Sequence, residues 1–255
     1  MDIWHGIVLG IIEGVTEFLP ISSTGHLILF GNLLKIPSGE FVKSFDIIVQ
    51  LGAISSVIFL YWKTLWNLET IKKLLVAFIP TGIIGLALYK VVKTYLMGNE
   101  HVVLWALLLG GVCLIVFELW HKESESAVVD IGAISYRQAL VIGLVQSIAI
   151  IPGVSRSAAT IVGGLLLGLK RSVIVEFSFL LAVPTMLAAS GLDVLKNYSK
   201  FSTDQFGVLL VGFIVAFITA TFSIKFLLRY IQKHNFIPFG VYRIVVAIIF
   251  WFLIL

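Results

Sequence analysis

Charge is what this chain has least of. Of its 255 residues only 13% are Asp, Glu, Lys or Arg, against about 25% in a soluble domain. Hydrophobic residues make up 59% and the mean hydropathy is +1.07. That balance excludes a soluble globular protein and leaves an integral membrane protein with the lipid bilayer as its solvent. Cysteine is nearly absent as well. Cys113 stands alone in an apolar run, which excludes an intrachain disulfide and any metal centre built on several thiolates. A cleavable signal peptide is not expected, because Glu13 and Glu17 break up the first apolar stretch. Acidic residues are outnumbered by basic ones, and the net charge of +4 suits an anionic membrane surface. The basic residues are scattered rather than gathered into a patch, so nucleic acid is excluded as a partner.

Long apolar runs are what the chain has in abundance. A helix needs roughly 20 apolar residues to cross the hydrocarbon. The pattern predicts spans over about 45–61, 74–92, 102–119, 173–192, 206–224 and 239–255. Two further apolar regions do not read as simple spans. Region 3–34 is interrupted by Pro20 and a Ser/Thr/His run, and region 135–169 by Pro152-Gly153-Val154-Ser155-Arg156-Ser157. Each half-region is too short to cross. Broken backbone at membrane depth is tolerated only where protein buries it or water reaches it. Both regions therefore read as re-entrant helix–loop–helix hairpins, with two kinked full spans as the alternative.

The two halves of the chain repeat. Pro20 lies 132 residues before Pro152, Phe45 lies 132 before Phe177, and Ser23-Thr24-Gly25 falls on Ser155-Arg156-Ser157. Gly10 and Glu13 match Gly143 and Gln146 at an offset of 133, a slip of one residue. The expected fold is thus an all-α polytopic membrane protein in a single domain, 1–255. It is built from two inverted-topology repeats, about 1–121 and about 134–255. Each is a re-entrant hairpin followed by three transmembrane helices, and the odd number of spans turns the second repeat upside down. Broken helices meeting near the midplane are a transporter architecture. Basic residues at span ends orient the whole. Eleven fall on one side, among them Lys63, Lys72, Lys122, Arg137 and Arg243. Six fall on the other, among them Lys35, Lys90, Lys93, Lys196 and Lys200. The richer side is expected to face the cytoplasm, so the first hairpin enters from outside and the second from inside.

The chemistry sits in the two broken segments. Ionisable groups inside a membrane mark functional sites by default. Glu13 and Glu17 are four apart and share a helix face. Two carboxylates so close repel unless a cation or an arginine lies between them, and a divalent cation with oxygen ligands resolves this. One carboxyl kept protonated is the other reading, and its raised pKa would suit a general acid or base. Ser22, Ser23 and Thr24 follow Pro20, where the helix breaks. Ser23 and His26 are three apart, within reach of one another in a turn, and a serine needs an adjacent base to become a nucleophile. Ser22 and Thr24 read equally well as phosphate donors or as caps of the restarting helix. In the second segment Arg156 offers a planar fork that matches phosphate oxygens. Ser155, Ser157, Thr160 and the following helix start add donors for the same anion. A salt bridge from Arg156 to Glu13 or Glu17 is the structural alternative, and it can coexist with phosphate binding. An acid/base half facing an anion-binding half fits phosphoryl transfer, which is mostly positioning and charge neutralisation.

These residues resemble a known family. The stretch Glu13-Gly-Val-Thr-Glu-Phe-Leu-Pro-Ile-Ser-Ser-Thr-Gly-His26 is long and specific, Pro152-Gly-Val-Ser-Arg-Ser-Ala-Ala-Thr160 moderately so, and Pro238-Phe-Gly-Val-Tyr-Arg243 adds weaker support. The chain is similar over its whole length to the undecaprenyl-diphosphate phosphatases of the bacitracin-resistance family. The resemblance implies removal of the terminal phosphate from a polyprenyl diphosphate lipid, recycling a cell-wall lipid carrier and conferring bacitracin resistance. It implies a place in the plasma (inner) membrane, a site opening to the outer face, and dependence on Mg2+ or Ca2+. It marks Glu13, Glu17, Ser23, His26, Ser155, Arg156 and Thr160 as site positions. Attack by Ser23 and attack by water both stay open, as does a polyprenyl-phosphate transporter or flippase using the same clamp. Gly110-Gly111, Gly163-Gly164 and Gly168 allow close helix packing within one chain, and a homodimer is left open.

Overall fold

The computed structural model describes residues 1–37, 39–96, 99–124, 126–197 and 206–254, with the side chains of Glu40, Lys93, 192–197 and Ile254 left undescribed. Of the basic residues that orient the chain, Lys200 lies outside the described residues. So do the side chains of Lys93 and Lys196.

The first region folds as two short helices around a break. Helix α1 (Ile3–Thr16) begins at a capping box, Asp2 accepting from the His5 backbone and His5 reaching back to Asp2. Pro20 has no N–H to offer a continuing helix, and the chain turns there. Helix α2 (Ser23–Leu33) restarts with Ser22 as its N-cap, the Ser22 Oγ accepting from Gly25 N at 3.4 Å. Ser22 has φ 71°, a conformation that costs a residue with a side chain about 1–3 kcal/mol. The second region repeats the design. Helix α6 (Tyr136–Gln146) starts at a Ser135/Gln138 capping box and runs into one 3-10 turn, Ser147–Ile150. The break carries Pro152 and Gly153, whose φ of 90° suits glycine. Helix α7 (Arg156–Leu166) then starts with Ser155 as N-cap, accepting from Ala158 N at 3.1 Å. At 14 residues or fewer and a rise of about 1.5 Å each, none of the four helices crosses a hydrocarbon core of about 30 Å.

The remaining helices are longer: α3 (Glu40–Leu65), α4 (Leu68–Val91), α5 (Glu100–Trp120), α8 (Arg171–Asn197), α9 (Phe206–Tyr230) and α10 (Ile237–Ile254). Among the described residues five stretches are long and apolar enough to cross a membrane: Phe41–Leu65, Leu68–Val91, Glu100–Trp120, Arg171–Gly191 and Phe206–Tyr230. The sixth expected span, 239–255, falls on α10, whose apolar stretch Ile237–Leu253 is shorter than the other five. The protein is thus an all-helical, multi-pass membrane protein. Many large apolar side chains are exposed, such as Ile83 and Leu86 on α4 and Phe222 on α9, while Glu13, His26 and Arg243 are buried. Lipid in place of water outside explains that inversion.

Packing partners interchange between the halves. Helix α1 packs along α9 and α6 along α4, α3 lies on α9 and α8 on α4, while α3 meets α8 and α5 meets α10. One hydrogen bond recurs with them: Thr219 Oγ1 donates to Gly10 O (3.4 Å) and Thr81 Oγ1 to Gly143 O (2.9 Å). Gly10 and Gly143 are the positions matched by the sequence offset. Close approach needs these glycines, since a Cβ on Gly10 would sit 2.9 Å from Gly212 O and one on Gly143 would run into Ala77 O. Accordingly Gly143→Val should destabilise the fold by about 1–3 kcal/mol, measured as a lowered Tm in detergent.

Candidate active site

The two breaks come together in the interior. Ser157, one residue into α7, donates from Oγ to Phe18 O in the first break at 2.9 Å. Arg156 beside it reaches the same segment: Nη2 meets Glu17 Oε1 at 3.1 Å, and Nη1 donates to Ser178 O on α8 at 2.8 Å. Both partners of this ion pair are largely buried, with 12% and 7% of their side chains exposed. Glu17 does more than neutralise Arg156, because its Oε2 accepts the hydroxyl of Ser23. One carboxylate therefore joins a hydroxyl from the restart of α2 to a guanidinium from the start of α7.

Unpaired groups lie in the same interior. Both carboxylate oxygens of Glu13 and the Nε of Arg156 are buried without a hydrogen-bond partner. A buried polar atom left unpaired costs about 1–3 kcal/mol, so a free acceptor pair and a free guanidinium donor are costs that a bound ligand would relieve. Glu17, Asp46 and Arg156 lie within electrostatic reach of Glu13. Among the described residues no three His, Cys, Asp or Glu side chains gather into a ready cage for a metal.

The structure separates two residues that the spacing of the sequence put together. Ser23 does not meet His26. Instead the His26 ring is held by its Nδ1 on Ser22 O (2.7 Å) and its Nε2 on the hydroxyl of Tyr242 from α10 (2.9 Å). Its plane lies parallel to the Tyr242 ring, with centroids 5.6 Å apart. On a helix, side chains three apart rise along the axis, and here Ser23 turns back toward Glu17 while His26 turns toward α10. Thr24 is exposed although its neighbours are buried, so it does not join the buried cluster. The hydroxyls read as phosphate donors are largely engaged in building the loop. Thr160 donates to Arg156 O (2.8 Å) and lies 3.3 Å from Gln146 Oε1, and Ser157 donates to Phe18 O, whereas Ser22 caps α2 by accepting and keeps its proton. Ser155 caps α7 by accepting, which keeps its own proton free to donate.

Arg243 corrects the reading of the sequence most sharply. Assigned there to a cytoplasmic span end, it is in fact buried, 1% exposed, in the centre of the molecule. Its six-residue distance into the apolar α10 was the signal that separated it from residues at span ends. Gln146, the counterpart of Glu13, was also matched without a role. Its Nε2 donates to Thr81 Oγ1 (2.9 Å), and so it ties α6 to α4.

These elements define a class: a polytopic helical membrane protein with an acid–hydroxyl–arginine cluster buried where two broken helices meet. Sequence comparison supplies the family. Residues 6–249 match the family described as bacitracin resistance protein BacA, and the chain belongs to it. It is 51% identical to the undecaprenyl-diphosphatase of Sulfurihydrogenibium sp. over 98% of this chain and 99% of that protein. It is also 51% identical to the undecaprenyl-diphosphatase of Wolinella succinogenes, over 99% and 98%. To that of Campylobacter jejuni subsp. jejuni serotype O:23/36 it is 49% identical over 99% and 95%.

The buried pair makes a testable demand. Arg156→Ala leaves Glu17 buried beside a void and should lower stability by about 3–5 kcal/mol. Adding Glu17→Gln to that variant should return part of the loss, read as Tm in the same detergent.

Proposed function

We propose that this protein is a membrane-embedded phosphatase that removes the terminal phosphate of undecaprenyl diphosphate, giving undecaprenyl phosphate and inorganic phosphate. One observation carries the reading: Glu17 accepts the Ser23 hydroxyl while paired with Arg156. A nucleophile and an anion-binding guanidinium thus meet on one carboxylate, which serves as the base. The names of relatives about half identical over the whole chain support the substrate.

In the proposed reaction the diphosphate head enters between the two breaks and the polyprenyl tail stays among the apolar helices. Arg156 Nε, unpaired in the protein alone, takes a phosphate oxygen, and the hydroxyl of Ser155 donates to another. Ser23 Oγ attacks the terminal phosphorus. Its proton passes to Glu17, the Oγ–P bond forms, and the bridging P–O bond breaks, with its electrons leaving on undecaprenyl phosphate. Water then cleaves the phosphoserine and releases phosphate. The proton acceptor differs from the one suggested by spacing, since Glu17 and not His26 holds the Ser23 hydroxyl. A water attacking directly, oriented by the same groups, gives the same products without the phosphoserine.

A divalent cation, Mg2+ or Ca2+, fits one residue of this set better than the other. Glu13 has two free carboxylate oxygens, the ligand type these ions take, whereas the oxygens of Glu17 are engaged. Glu13 would hold the ion, and a bound ion would neutralise charge on the diphosphate.

The topology belongs to the same proposal. The interchanged packing of the two halves and their matched hydrogen bonds support inverted-topology repeats, each with a re-entrant hairpin. The excess of Lys and Arg on one side, ten against six once Arg243 is taken out, supports a cytoplasmic position for that side in an inner-membrane protein, with the catalytic mouth on the outer face. Hydrolysis there would return the lipid carrier to use and lower the diphosphate that bacitracin captures. A transporter or flippase of the same lipid would need the arginine clamp but no hydroxyl held by a carboxylate.

Purified protein in detergent should release phosphate from a polyprenyl diphosphate. Glu17→Gln should lower kcat by about 10²–10⁴-fold, the range for loss of a general base. Ser23→Ala should abolish turnover, and turnover near wild type would move the attack to water. Glu13→Gln should shift the divalent-ion concentration for half-maximal rate upward.

A further inference from the structure

Arg243 touches both breaks at once. Its Nη1 donates to Pro20 O in the first break (3.4 Å) and its Nη2 to Gly153 O in the second (3.2 Å). The same guanidinium holds α5, with Nη2 on Ala106 O (2.9 Å) and Nε on Leu107 O (3.4 Å). The two breaks are equivalent in the sequence repeat, as Pro20 matches Pro152 next to Gly153. One side chain from α10 thus spans the seam between the paired loops. Arg156 and Glu17 form their own bridge across that seam a few residues away.

The surroundings are shaped to admit this side chain. A Cβ on Gly110 would strike the guanidinium, with Cζ at 2.7 Å, and one on Gly111 would sit 2.7 Å from Gly240 O. A Cβ on Gly153 would lie 2.7 Å from Val103 O. Three glycines, of which Gly110 and Gly111 read from the sequence only as helix packing, therefore bring α5, α10 and the second break close enough to be tied by one arginine. Among the described residues Arg243 forms no ion pair, and Glu17 is taken by Arg156. Carbonyl dipoles satisfy its donors, but the net positive charge remains, and burying such a charge unpaired costs several kcal/mol. His26 lies within its electrostatic reach. A polyanion held between the breaks is the partner that would balance it.

We propose that Arg243 is a positioning residue of the phosphate site: it fixes the spacing of the two breaks through Pro20 O and Gly153 O, and its uncompensated charge favours a diphosphate between them. This rests on the phosphatase reading above. The two contributions separate in kinetics. Geometry governs kcat, since a misplacement of about 1 Å can cost about 10²-fold. Charge governs affinity for the diphosphate.

Arg243→Lys keeps the charge and loses the fork that reaches four carbonyls. Arg243→Gln loses the charge and keeps an amide donor. Gly110→Ala leaves Arg243 chemically intact and displaces it. Each is measured in detergent for phosphate release from a polyprenyl diphosphate, for Tm, and for the rise in Tm caused by inorganic diphosphate. Expected are a kcat lowered about 10²-fold in Arg243→Lys and Gly110→Ala with little change in KM, and a raised KM with a reduced diphosphate-induced Tm rise in Arg243→Gln. The inference is overturned if Arg243→Lys and Gly110→Ala keep wild-type kcat, if kcat falls only in step with the folded fraction, or if Arg243→Gln keeps the full diphosphate-induced rise. Wild-type protein that releases no phosphate would sink the phosphatase reading alone, because the diphosphate-induced Tm rise still reports on Arg243.

Discussion

The ion pair between Glu17 and Arg156 joins residues 139 apart in the chain and on opposite halves of the repeat. Two charges cannot be taken this far from water singly, and the pair is acceptable only because each member has further partners. Glu17 holds the Ser23 hydroxyl and Arg156 holds Ser178 O. Ser157 on Phe18 O and Arg243 on Pro20 O and Gly153 O then keep the two segments in register. Without that seam each break would be an irregular loop with unsatisfied backbone, which lipid does not tolerate.

The same constraint accounts for the packing around the seam. Bringing two broken segments together requires their helices to lie close to neighbours, and glycines do this at Gly10, Gly14 and Gly143 by admitting a partner backbone. Apolar bulk closes the remainder. Phe18 and Phe179 meet edge to face at 5.4 Å, directly beside Glu17 and Ser178 in sequence. Such a wall excludes water around the ion pair and strengthens every electrostatic contact within it. Among the described residues the buried side-chain atoms left without a hydrogen-bond partner are on Glu13, Arg156 Nε, Ser178 Oγ and Ser190 Oγ, and those of Glu13 and Arg156 belong to the residues proposed to hold ligand.

Much of this was legible in the chain itself. Pro20 and Pro152 gave the breaks, because proline cannot continue a helix, and the 132-residue offset gave the repeat. A carboxylate pair and a lone arginine among apolar residues pointed to the buried cluster in which Glu17, Ser23 and Arg156 meet, since ionisable groups at membrane depth mark candidate sites. Less legible was who pairs with whom. Ser23 is three residues from both Pro20 and His26, and spacing alone favoured the histidine. The break instead swings Ser23 toward Glu17 and leaves His26 to Tyr242, a residue 216 positions away. Thr24 shared the motif with Ser23 but ends up exposed, since neighbouring positions on a helix point in different directions.

What the sequence determined by itself is the membrane class, the two broken segments, and the set of charged and hydroxyl groups they carry. Each follows from composition or local backbone chemistry, which a one-dimensional pattern records. Only the tertiary structure decided that Glu17 is the group joining Ser23 to Arg156, and that Arg243 lies at the centre rather than at a span end. Those outcomes depend on contacts between segments 90 to 223 residues apart, and on four carbonyl oxygens that no residue name reveals. A buried arginine and a surface arginine are spelled alike; the fold around Arg243 is what gives its charge somewhere to act.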